Sequence, residues 1–127
     1  MDQIINLRDF RAPTLEERLV LAKREYPGMK ILYVGRPTAL GNPYELFGQE
    51  KHNPKKRDAS IARYKVWLWG KIKEGDADVM MALNMITEDT ILACWCAPAP
   101  CHSNVIWAAW HYLKRKERVS SQEVVPV

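Results

Sequence analysis

The order of apolar runs predicts a small single-domain α/β sandwich, with a three- or four-stranded, mostly parallel sheet and flanking helices. Three observations predict it. Residues 30–34 (KILYV) and 90–93 (TILA) are short apolar runs with β-branched members, the pattern of buried strands. Apolar residues at helical spacing fill the stretches before, between and after them. Both strands also run directly into loops of glycine, arginine, cysteine and proline. Open α/β sheets present their ligand sites in loops of that position.

In chain order, residues 3–7 (QIINL) form a short candidate strand. Thr14 and Glu17 make a capping box, and Leu15, Leu19, Ala22 and Tyr26 follow at helical spacing. The spacing predicts a helix over 14–26, stopped by Pro27-Gly28. The strand at 30–34 leads into Gly35-Arg36-Pro37 and then Gly41-Asn42-Pro43-Tyr44. Residues 46–57 are polar and irregular, which predicts an exposed loop. Asp58 is the expected cap of a helix carrying Ile61, Tyr64, Leu68 and Ile72 on one face, with Trp67 and Trp69 covering its flanks. Gly75 ends that helix. A second follows over 76–86, and its Met80, Met81 and Met85 are expected to fill gaps in the core. Thr87-Glu88-Asp89 turns the chain into the strand at 90–93. The helix opening at Cys101-His102 carries Val105, Ile106, Ala109, Tyr112 and Leu113 inward and ends in Lys114-Arg115-Lys116, cations that suit a helix C-terminus. The domain is expected over 1–116, with 117–127 as a flexible tail.

A chain of 127 residues supports one real core and not two. No run approaches the roughly 20 apolar residues of a membrane span, and MDQIINLRDF lacks the basic-then-apolar pattern of a signal peptide. A cytoplasmic protein without membrane contact is expected. The three cysteines are an odd number, and Cys94 and Cys96 sit too close for an easy mutual bridge, so reduced thiols are the expected state. The formal net charge of +4 biases the protein mildly toward anionic partners, and nucleic acid stays open as one of them. Much of the excess lies in the stretch from Lys51 to Arg57 and in Lys114-Arg115-Lys116. A solvated face explains both equally well.

The chemistry concentrates in two loops. In the first, Gly35 and Gly41 let backbone approach a ligand closely, Arg36 can hold phosphate or carboxylate bidentately, and Asn42 offers a donor and an acceptor. These residue types also make simple structural turns. The glycine spacing is not that of a P-loop. Arg63 is placed to reach the same corner. In the second loop, Pro98 and Pro100 force an open turn between Cys94-Trp95-Cys96 and Cys101-His102. Cys101 at a helix N-terminus favours thiolate, with His102 as base or orienting group. Zinc is the rival reading, since three thiolates and an imidazole are a legitimate ligand set. The spacing fits no paired knuckle, so no metal is assigned. Buried structural cysteines are a third reading.

Tyr33-Val34-Gly35-Arg36-Pro37, Gly41-Asn42-Pro43, Tyr64 and the Cys94-Trp95-Cys96-x-Pro98-x-x-Cys101-His102 block resemble a small phage and bacterial family, domain of unknown function 4326. The resemblance covers roughly Gln3 to Leu113, and the helix at 14–26 stands where the family usually turns tightly. It supplies no established activity and leaves any cofactor unknown, but it implies that the two loops belong to one site.

The expected function is a pocket for an anionic, phosphorylated or nucleotide-like small molecule in nucleotide or nucleic-acid metabolism. Gly35, Arg36, Gly41, Asn42, Arg63, Tyr64, Cys94 and Cys96 would bind the ligand. Cys101 and His102 would carry any hydrolysis or transfer. No carboxylate pair stands out as an acid–base couple, although Glu45, Glu50 and Asp58 lie near the first loop. The alternative is a zinc-stabilised module that binds nucleic acid or protein through Lys51–Arg57 and the tryptophans.

Overall fold

In the computed structural model, residues 3–44, 46, 48–95 and 101–123 are described. Strand β3 (Thr90–Cys94) occupies the middle of a three-stranded sheet, between β1 (Gln3–Asn6) and β2 (Lys30–Tyr33). Both pairings are parallel, with Leu92 opposite Ile4 on one side and Leu32 on the other. Every residue of β3 is buried, as befits a strand covered on both faces and paired on both edges. The fold is therefore a small α/β domain with a wholly parallel sheet.

Side-chain alternation sorts the sheet into two faces. Ile4, Leu32 and Leu92 pack with Tyr64 and Leu68 of α2 (Pro54–Glu74), Val79 and Leu83 of α3 (Ala77–Asn84), and Ile106, Trp107 and Trp110 of α4 (His102–Glu123). The odd-numbered partners Ile91 and Ala93 are fully buried outside that cluster, as are Leu7 and Ala22. They form the smaller layer under α1 (Leu15–Glu25), which packs on β2. Three helices cover one face and one covers the other.

The local stops and starts have ordinary causes. The Thr14 hydroxyl accepts from the Glu17 N–H at the start of α1. Gly75 closes α2 in the left-handed region at φ 70°, where a Cβ would be strained. Asp76 caps α3 by accepting from the Val79 N–H. Asn53 caps α2, with Pro54 in its first turn. That corrects the expected cap at Asp58, which lies inside the helix. The stretch before it is not wholly irregular either, because Gly48–His52 forms a 3-10 helix.

Three further expectations need correction. Met80 packs against the core, but Met81 and Met85 are 65% and 46% exposed. Tyr112, expected inward, is exposed and edges against Trp69. The inward positions belong instead to Trp107 and Trp110, whose indole N–H groups donate to the Gln3 and Ile86 carbonyls. Finally, α4 continues to Glu123, beyond the expected helix end at Lys114-Arg115-Lys116. Residues 124–127 lie outside the described residues.

Leu92→Ala should cost about 2–5 kcal/mol, because its side chain is fully buried at the centre of the larger core. Met81→Ala should stay within about 0.5 kcal/mol. Urea denaturation of both variants checks the contrast.

Candidate functional site

The loop after β2 folds back on itself. The Gly35 carbonyl accepts from both the backbone N–H and the hydroxyl of Thr38, and Gly41 N–H donates to the Thr38 carbonyl. Gly41 lies so close to Gly35 and Arg36 that a Cβ would sit 3.0 Å from the Arg36 Cα and the Gly35 oxygen. A Cβ on Gly35 would run into the phenol of Tyr33. Both glycines therefore serve chain-on-chain packing. Arg36 is carried at the exposed outer side of this folded loop.

Asn42 is committed internally. Its side-chain oxygen accepts from the Tyr44 N–H at 2.9 Å and its NH₂ donates to Ser60 Oγ at 3.0 Å. Ser60 in turn donates to the Tyr44 carbonyl, so Asn42 ties the loop to α2. Arg63 stacks on the ring of Tyr44, 4.4 Å from its centroid, which engages its guanidinium face beside this same stretch of the loop.

The residues that flank the second loop, Cys94 and Cys101-His102, lie beside the start of the first at the carboxyl ends of β2 and β3. Cys101 directly precedes α4, and its backbone N–H donates to Asn104 Oδ1 at 3.1 Å. His102 Nε2 lies 2.7 Å from the Val34 carbonyl oxygen. A carbonyl can only accept, so Nε2 carries the proton and Nδ1 is the basic nitrogen of the neutral ring. Burial lowers the pKa of His102 below the ordinary 6.5; the Val34 bond and Cys94 oppose that shift, and the nearby Arg36 charge adds to it. The ring stands edge-on to Tyr64, with centroids 5.2 Å apart. Tyr64 is fully buried and donates to the Leu40 carbonyl at 2.6 Å; burial, then Cys101, pushes its pKa far up, so it stays a neutral phenol. Cys94 and Cys101 are both buried, with sulfurs 3.7 Å apart.

The structure thus brings Arg36, Tyr64, Cys94, Cys101 and His102 into one corner. Gly35 and Gly41 support it from beneath, Asn42 and Arg63 belong to the neighbouring Tyr44 contact, and Cys96, with Glu45, lies outside the described residues. Sequence reasoning missed the other side of the corner. Trp95 donates from its indole to the Tyr33 hydroxyl at 2.9 Å, and that hydroxyl donates to the Arg36 carbonyl at 2.9 Å. Arg18 of α1 lies over the Trp95 ring and donates to the Ala12 and Leu7 carbonyls. The available signal was alternation: Tyr33 and Trp95 are odd-numbered like Ala93, and so fall on the α1 face. Among the described residues no three His, Cys, Asp or Glu side chains are grouped to hold a metal ion. An open concavity of about 840 Å³, lined by Gln49, His52, Asn53, Pro54 and Lys55, lies at the start of α2. Ten residues of helix, about 15 Å, separate that end from Tyr64.

The family model described as domain of unknown function, DUF4326, matches residues 21–111. The chain belongs to the DUF4326 family. The match begins within α1, later than the expected Gln3, and ends just short of the expected Leu113. All the residues assigned to the corner fall inside the DUF4326 span, whereas β1 precedes it. No curated protein and no solved structure matches the chain.

Two outcomes test this geometry. Gly35→Ala must displace Tyr33 and break its bonds to Trp95 and Arg36, so it should cost about 1–3 kcal/mol. In a Tyr33→Ala background the same change should cost under about 0.5 kcal/mol, and a double-mutant cycle by denaturation measures the difference. His102 has a folded pKa below its unfolded value, so the unfolded chain binds protons first as pH falls. Its contribution is complete above pH 6.5 and is lost as pH falls from there through the lower folded value. His102→Gln keeps a donor for the Val34 carbonyl but cannot charge, so its Tm should fall less than the parent's between about pH 7 and pH 5.

Proposed function

We propose that the first turn of α4 binds the phosphate of a nucleotide-like small molecule, with Arg36 as its cationic partner. The observation that carries this reading is the 2.7 Å bond from His102 to the Val34 carbonyl, which ties the start of a 22-residue helix to the end of β2 beside Arg36. The first turn of a helix offers N–H groups without intrahelical partners and the positive end of its dipole, a ready anion site. Ser103, in that turn, supports it: its hydroxyl is fully buried and has no hydrogen-bond partner among the described residues. Such an orphan calls for a water or ligand oxygen.

In the enzyme version, His102 Nδ1 accepts a proton and Cys101 acts as the nucleophile in hydrolysis or transfer on the bound molecule. In the binding version the same groups only hold it. Work in nucleotide or nucleic-acid metabolism follows from that ligand class. No helix among the described residues is long and apolar enough to cross a membrane.

Titration calorimetry with inorganic phosphate, AMP and ADP tests the reading. Arg36→Lys keeps the charge but loses the bidentate fork, and Arg36→Ala loses both. Each should weaken the bound probe, by about tenfold to a hundredfold for a lost charged hydrogen bond. Equal binding by all three proteins would remove Arg36 from the site. The zinc-stabilised module is the second reading, favoured by the 3.7 Å sulfur separation, which is close to the ~3.8 Å between two thiolates on one tetrahedral zinc. Stoichiometric zinc in the purified protein would favour it.

A further inference from the structure

We infer that Cys94 and Cys101 form a reversible disulfide, a covalent modification site that joins the end of β3 to the start of α4. Their sulfurs already lie 3.7 Å apart in the reduced protein. A disulfide needs about 2.05 Å, so the sulfurs must approach by under 2 Å, a change within reach of side-chain rotation and a small shift of the helix start. Cys94 is the last residue of the central strand and is paired in register with Asn6 of β1. Cys101 directly precedes α4 and its backbone N–H and carbonyl both bond to Asn104, so its sulfur is carried by the first turn of that helix. Both are buried, at 1% and 3% exposure, so a small oxidant reaches them more readily than a protein partner does. Among the described residues no third His, Cys, Asp or Glu is grouped with the pair to hold a metal ion.

The oxidant class is a hydroperoxide, with hydrogen peroxide as the simplest member. The thiolate of one cysteine attacks a peroxide oxygen, the O–O bond breaks, and the departing hydroxide takes a proton to become water. The resulting sulfenic acid is attacked by the second thiolate, an S–S bond forms, and hydroxide leaves as a second water. Two thiols are oxidised and one peroxide is reduced to two waters. A dithiol reductant reverses the change through a mixed disulfide.

Closing this bond moves the residue that opens α4 and draws it toward β3, which re-aims the first turn. That consequence rests on the proposed anion site at the same turn; the disulfide itself does not.

The experiment treats the reduced, chelator-washed chain with hydrogen peroxide and follows intact mass and digested peptides. The expected result is loss of two hydrogen atoms, a peptide pair cross-linked through Cys94 and Cys101, and full recovery with dithiothreitol. The Cys96→Ser chain should give the same cross-link. Cys94→Ser and Cys101→Ser should instead accumulate sulfenic acid that dimedone captures. A cross-link through Cys96, or oxidation that passes to sulfinic acid in the parent without any bridge, overturns the inference. Calorimetry of the oxidised chain then reads the consequence: binding of a phosphate probe should fall at least about tenfold. Unchanged binding would sink the regulation and leave the bridge standing. If even the reduced chain binds no probe, the anion reading fails, and the mass measurement still decides the disulfide.

Discussion

Everything in this domain is referred to one strand that has no exposed side. Each residue of β3 is buried, and Ile91, Leu92 and Ala93 are paired in register with both β1 and β2. A strand so placed must send alternate side chains to opposite layers, and it admits no slip, because a one-residue shift would exchange the two sets. Leu92 therefore belongs to the α2–α4 core, while Ile91 and Ala93 belong to the layer under α1. The alternation persists past the strand's last bonds. Cys94 turns toward Cys101, and Trp95 turns toward Tyr33 and Arg18. The two halves of the corner are separate because the central strand's parity separates them.

The corner is polar but charge-poor in its interior. Tyr64 and His102 touch, and both are held neutral, chiefly by burial. Each spends its proton on a backbone carbonyl, at Leu40 and at Val34. Those carbonyls lie in the turns that leave β2, where no ladder bond is available, so the side chains do for the loop what the sheet does for the strands. Arg36 is the nearby charge, kept at the outside, and its effect on His102 is to disfavour a second cation. An anion arriving there would meet a cation and a helix N-terminus on a neutral floor.

Much of this was legible in the sequence where the signal was local. The strands at 30–33 and 90–94, the Thr14 cap and the Gly75 stop follow from runs of apolar residues and from the stereochemistry of single residues. The adjacency of the two loops follows from parallel strands that share an edge. What was not legible depends on partners far away in the chain. Asn53 and Asp58 are both good caps, and only Pro54 with its preset φ distinguishes the earlier start. Trp107 and Trp110 point inward because the backbone carbonyls of Gln3 and Ile86 accept their N–H groups, and no periodicity reveals an acceptor. Asn42 resembled a ligand reader, yet Ser60 claims one end of its amide across 18 residues.

The same distinction explains why a glycine-rich loop need not have its glycines at the ligand. Gly35 and Gly41 lie against Tyr33 and against each other's neighbours, with no positive φ at either. Their lack of a Cβ lets the segment from Val34 to Tyr44 fold tightly enough for the Leu40 carbonyl to reach Tyr64 and the Asn42 amide to reach Ser60. A looser loop would break those anchors to α2, and with them the fixed position of the Val34 carbonyl that His102 needs. The glycines thus act on the corner through two intermediates, the loop's own compactness and the helix it grips. Arg36 is the residue in that segment whose side chain is turned outward while its carbonyl is held by Tyr33. With its backbone pinned at the carbonyl and its long cationic side chain on the outside, Arg36 would lose less freedom on meeting an anion than an arginine on an unanchored loop.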